Sequence, residues 1–213
     1  MLTNPTSRLL ALHPGLAATS RVGWLTSEGA SASVRDWLIL ASAGAIAACA
    51  STFLDYNLRI PGHAILRAVF PMVVGLALVP RRGAGCVMAA VAALTAGGLR
   101  LGGAGGEGMS LGALTSLIAT GPLLDWTLRR AHGGWRLYAS FAAAGIASNL
   151  LALAVRGGAK AFGFEHLGAR PLSVWLPRAA VTYILCGLVA GFISGGVWFY
   201  ARRRGQPSPE EAK

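Results

Sequence analysis

A chain of 213 residues that is 54% hydrophobic and only 13% charged, with a mean hydropathy of +0.55, falls well short of the charge of a soluble domain, where about 25% is usual. Its net charge of +11 would suit nucleic acid in a soluble protein. Here the arginines instead cluster at the ends of apolar runs, as Arg81-Arg82, Arg129-Arg130 and Arg202-Arg203-Arg204, with no basic face interleaved with aromatics, so the charge reads as membrane topology and anionic-lipid contact rather than nucleic-acid binding.

Residues 1–36 mix Ser, Thr, Gly, Pro and scattered Arg without sustained periodicity, and read as a mostly irregular cytoplasmic tail. No basic-then-apolar leader pattern is seen, so the first apolar run is expected to act as an uncleaved signal anchor. That run covers about 37–54. Its centre is almost entirely small: Ala41 and Ala45 lie four apart, as do Ala43 and Ala47. Small residues at every fourth position let another helix approach closely in lipid, either from a partner or from a neighbouring span of the same chain.

A compact polar stretch follows, from Asp55 to His63, carrying an acid, a phenol, an amide, a guanidinium and an imidazole on Asp55, Tyr56, Asn57, Arg59 and His63. Irregular polar backbone is tolerated only outside the hydrocarbon or along a cavity. The stretch is therefore placed at a membrane face and is the first candidate for a binding site. The second span, 64–79, is short for a bilayer that needs roughly 20 residues. It holds Arg67, able to snorkel or to meet an anionic group of a ligand or Asp55, and Pro71, expected to bend it.

A short turn at Arg81-Arg82-Gly83 leads to the third span, 84–99, and then to a glycine-rich loop whose one acid is Glu107. No phosphate-loop pattern accompanies those glycines. The fourth span, 111–128, places Asp125 four residues before Arg129, the spacing of a helix ion pair. The fifth, 137–155, contains Asn149, an amide that needs partners in lipid, as helix glue or as a pocket residue. A long connection over 156–176 carries His166, and a last span over 177–200 is stopped by three arginines and a polar tail, 201–213.

With six spans, twelve of the 19 basic residues fall on the side of the termini and seven on the other. The expected fold is thus an all-α integral membrane protein, about six transmembrane helices in a compact bundle over 37–200, with both termini cytoplasmic and multi-pass in the cell's inner membrane. No nucleophile-and-base motif, metalloprotease pattern or nucleotide loop occurs, so no enzyme is expected. His63 and His166 share the outward side without tight ligand spacing, and Cys49, Cys86 and Cys186 sit singly in spans; no metal or cofactor is expected.

The six-span count, both ends inside, the Ala41/Ala45 and Ala43/Ala47 pairs, and the segment from Val79 to Gly85 running into a Gly/Ala-rich span resemble the substrate-binding (S) components of energy-coupling factor transporters. The resemblance covers about 37–200. It implies uptake of a vitamin-like small solute, with Ala41, Ala43, Ala45 and Ala47 docking on a transmembrane coupling subunit driven by ATPases. It also implies a pocket at the outward loops and helix ends, drawn from Asp55, Tyr56, Asn57, Arg59, His63, Arg67, Glu107, Asn149 and His166. The start, Met1-Leu2-Thr3, lacks the early histidine of the cobalt and nickel components, which argues against a metal substrate. Two other readings stand beside it: a non-catalytic membrane scaffold or assembly subunit, and a self-contained small secondary transporter with Arg67 and Asp125 on its pathway.

Overall fold

The computed structural model describes residues 33–54, 62–103, 110–129, 135–163 and 171–204. Helix accounts for 89% of them, and no strand occurs among them. Six helices run in order: α1 (Val34–Phe53), α2 (Ala64–Leu78), α3 (Ala84–Leu101), α4 (Leu111–Leu128), α5 (Trp135–Ala161) and α6 (Leu172–Arg204). The expected tails over 1–36 and 201–213 lie largely outside the described residues.

Local chemistry explains where these helices begin. Ser33 and Asp36 form a capping box, in which the Asp36 amide donates to Ser33 Oγ at 3.1 Å and the Ser33 amide donates to Asp36 Oδ2 at 3.2 Å. This reciprocal cap starts α1 at Val34, three residues before the first apolar run was expected to begin. Ser110 caps α4 by accepting from the Ala113 amide at 3.3 Å. Gly83, at φ +80°, makes the left-handed turn between α2 and α3 that a side chain would disfavour. The long connection expected over 156–176 is shorter than that: α5 continues to Ala161 and α6 already starts at Leu172. Polar residues at helix ends break the apolar pattern without breaking the backbone, so the hydropathy boundary falls inside the helix.

Sequential helices run antiparallel. Asp36 at the start of α1 meets Arg81 after the end of α2, at 3.2 Å. Gly85 near the start of α3 faces Gly121 late in α4, Gly112 early in α4 faces Ala152 late in α5, and Gly195 late in α6 faces Tyr138 early in α5. The spatial order around the bundle is α1, α3, α4, α5, α6, and α2 touches all five. Ile65, Met72, Val73 and Leu76 of α2 are 0% exposed. The short helix is the hub of the bundle, which is why it need not match a bilayer by its own length. It runs unbroken through Pro71.

Glycines set the closest crossings. A Cβ on Gly187 would lie 2.7 Å from the Gly145 carbonyl oxygen, and one on Gly191 would press into the backbone of Ala142, so α5 and α6 meet backbone to backbone. Gly75 of α2 is likewise walled by Ala43 of α1 (2.8 Å) and Met88 of α3 (2.5 Å). Such contacts maximise dispersion where hydrophobic burial gives helices no reason to associate.

The outside of the bundle is apolar. Leu38, Leu94, Val181, Leu185 and Phe192 are all exposed, the last at 49%. Four helices, α1, α3, α5 and α6, are long and apolar enough to cross a membrane, and only 33% to 44% of their most apolar windows is buried. Apolar surface on that scale has no use in water. By length, composition and exposure, these are the helices of a membrane protein.

Candidate functional site

The start of α2 is where the polar side chains of this bundle converge. Arg67, one turn into the helix, donates through Nη1 to the Leu54 carbonyl at the end of α1. Through Nη2 it donates to His63 Nε2 at 2.7 Å. A guanidinium has no acceptor, so His63 accepts there, with its ring proton on Nδ1. Arg67 Nε is buried and has no hydrogen-bond partner among the described residues. One helical turn thus presents two interacting heterocyclic and guanidinium groups, four residues apart on one face, with a donor left over.

On the other side of the same connection, Asn149 of α5 is 1% exposed and donates twice through Nδ2, to the Gly62 carbonyl at 3.1 Å and to the Tyr183 carbonyl of α6 at 2.9 Å. Gly62 sits at φ +89°, and a Cβ on it would lie 3.0 Å from Tyr183 Cα. The backbone there is pressed against α6 and only glycine relieves both strains. Asn149 is therefore helix glue, and it holds three segments together.

The consequence is geometric. Leu54 and Gly62 are the two described residues that flank 55–61 in the chain. Arg67 fixes the first of them and Asn149 the second. A polar connection is in this way anchored at both ends by side chains of a rigid scaffold, the arrangement in which loops carry binding function.

A buried hydroxyl layer continues from Asn149 across α4. Thr120 Oγ1 and Ser148 Oγ lie 2.9 Å apart, Ser148 Oγ donates to the Ser116 carbonyl at 3.2 Å, and Thr120 Oγ1 donates to the same carbonyl at 2.6 Å. All three residues are buried, at 1% exposure or less. With one proton each, Thr120 and Ser148 both direct it to the Ser116 carbonyl, so the layer ties α5 to α4 through that backbone oxygen. Beyond it, Lys160, 7% exposed, places its ammonium 4.5 Å from the centre of the Trp175 ring, a cation–π contact between α5 and α6.

Asp125 has a different role from the ion pair its spacing to Arg129 suggested. Its carboxylate accepts the Gly85 amide at 3.1 Å and the Cys86 amide at 2.8 Å. It caps the first turn of α3 from the neighbouring helix, where unpaired N–H groups and the helix dipole favour a negative charge. The close approach of Gly85 to Gly121 makes that reach possible.

Of the residues expected to bind a solute, the structure brings His63 and Arg67 together and puts Asn149 against the adjacent Gly62. Asp55, Tyr56, Asn57, Arg59, Glu107 and His166 lie outside the described residues. Ala43 and Ala47 are buried inside the bundle, at 7% and 0%, while Ala41 and Ala45 are half-buried at its edge. The first pair thus packs within the chain. Sequence reasoning passed over Gly187, Gly191 and Gly195, three glycines spaced four apart in the last span and a stronger close-packing signal than the alanines. It also passed over the Ser33-x-x-Asp36 capping signature. No group of three or more metal-ligating side chains occurs among the described residues. Comparison with protein-family models, with curated proteins and with solved structures returns no match.

Proposed function

We propose that this chain is a membrane-embedded solute-binding subunit for uptake of a vitamin-like small molecule, resembling the S components of energy-coupling factor transporters. All six helices then span the inner membrane, both termini are cytoplasmic, and the 55–63 connection faces outward. The observation that carries the reading is the doubly anchored connection: Arg67 at Leu54 and Asn149 at Gly62 frame a segment containing Asp55, Tyr56, Asn57 and Arg59. The buried Arg67 Nε supplies a ready donor for an anionic or carbonyl group of a ligand. Transport energy comes from a separate coupling subunit with ATPases, since the sequence carries no nucleotide loop.

The test is thermal unfolding of the detergent-purified chain against vitamins, their precursors, and divalent cobalt and nickel. A ligand specific for the folded state at a hundredfold excess over its Kd adds about 2.7 kcal/mol to the stability. One compound is expected to do so, and to lose its effect in Arg59→Ala and Asn57→Ala while the ligand-free transition stays put. A flat response across the panel, alongside a control protein that responds, would overturn the proposal and favour a scaffold subunit without a ligand.

A further inference from the structure

Outside the connection just described, a groove of about 620 Å³ lies on the flank of the bundle between α1 and α2. Its floor is made by two small residues, Ala43 and Gly75, which let the helices touch while their larger neighbours stand apart. The walls are Leu38, Ile39 and Ile46 on one side and Phe70, Val74 and Leu78 on the other. Leu38, Ile46, Val74 and Leu78 are exposed, so the groove opens sideways, toward lipid. At one end stands Arg35, exposed and part of the lining.

We propose that this groove holds an acyl chain of an anionic phospholipid, with the lipid phosphate against Arg35. Three observations select that occupant. Length is the first: from Arg35 to Ile46 a helix rises about 16 Å, close to half of the roughly 30 Å hydrocarbon core, so the groove spans one leaflet from its headgroup end to the midplane. Polarity is the second. Between Arg35 and the far end the Ser42 hydroxyl is the one polar side chain of the lining, too little to satisfy a polar solute, and the cation lies where a headgroup would sit. Shape is the third: Ala43 and Gly75 close the floor, a Cβ on Gly75 lying 2.8 Å from the Ala43 side chain, so the space is a slot between two touching helices that an extended alkyl chain fills along its length. The neighbouring acid does not repel the phosphate, because Asp36 is already paired with Arg81 at 3.2 Å and with the Ser33 amide.

The full chain, purified in mild detergent and stripped of lipid, is titrated with dioleoyl phosphatidylglycerol, with the phosphatidylcholine of the same chains, and with glycerol phosphate, and bound lipid is read by native mass spectrometry. The anionic lipid is expected to bind at least about fivefold more tightly than the zwitterionic one, the worth of one surface cation near an anionic headgroup. Arg35→Gln should erase that preference. Val74→Trp, which fills the groove from its exposed wall, should lower retention of both lipids, and both variants should keep the wild-type helix content by circular dichroism. Equal binding of the two lipids, a preference that survives Arg35→Gln, retention unchanged by Val74→Trp, or displacement of the lipid by glycerol phosphate would each overturn the proposal; the last would leave an anion site only, and a copurifying protein in place of lipid would point to a partner helix.

Discussion

The carboxamide of Asn149 donates to carbonyls that lie 87 and 34 residues away in the chain. As a lone amide in an apolar run it was legible as a residue that needs partners; which partners was not, because both are backbone oxygens and no pattern of side chains encodes them. The same holds for Asp125, whose i+4 arginine offered a local ion pair while the third helix, 39 and 40 residues away, offered two unpaired amides. A carboxylate at a helix N-terminus gains more than one in an exposed surface pair. Asn149→Ala is expected to destabilise the chain by about 1–2 kcal/mol, as the buried bonds to the Gly62 and Tyr183 carbonyls are lost. Gly62→Ala should cost about 1–3 kcal/mol through its left-handed φ and its contact with Tyr183. Equilibrium unfolding in mixed micelles measures both, and wild-type stability in either variant would remove the anchoring role given to this site.

Among the helices, existence and order were legible from apolar periodicity and from the arginines that punctuate it. Their ends and their arrangement were less so. The fifth and sixth helices outrun their hydropathy because a polar terminal turn remains helical, and the centrality of α2 is written in contacts, not in any local signal. Its shortness was a clue that read as a misfit to the bilayer. Packing at this scale is set by glycine. Gly187→Leu or Gly191→Leu should prevent α5 and α6 from closing, with loss of folded protein in size-exclusion chromatography. Gly196→Ala, where a Cβ meets nothing within 4 Å, is expected to be neutral or to stabilise by up to about 1 kcal/mol through helix propensity. Similar behaviour of all three variants would mean that close approach does not hold this helix pair.

For the whole molecule, charge and aromatic rings agree on a direction. Trp37 at the start of α1, Trp126 at the end of α4, Trp135 at the start of α5 and Tyr200 near the end of α6 are all exposed, and antiparallel packing brings these four termini to one end. That is the end carrying Arg35, Arg81, Arg129 and Arg136. Aromatic side chains favour the interface and basic ones the cytoplasmic face. With Cys49, Cys86 and Cys186 replaced by Ser, Gly105→Cys is expected to react with a membrane-impermeant maleimide in intact cells and Ser208→Cys only after lysis. The reverse pattern would invert the proposed topology, and labelling of both in intact cells would break the six-span count.

The central place of α2 has a bearing on how the chain is made. During synthesis it leaves the ribosome second, when only α1 is there to receive it, although four of its five neighbours are still to come. Fifteen residues with an arginine in the first turn give it little hold on the bilayer alone. Assembly must therefore be vectorial but completed late: α1 and α2 wait as a hairpin, sharing their one finished face, until α6 arrives more than a hundred residues later to close the other side. A chain cut short after α3 or α4 would carry its most apolar helix half wrapped, a natural mark for membrane quality control.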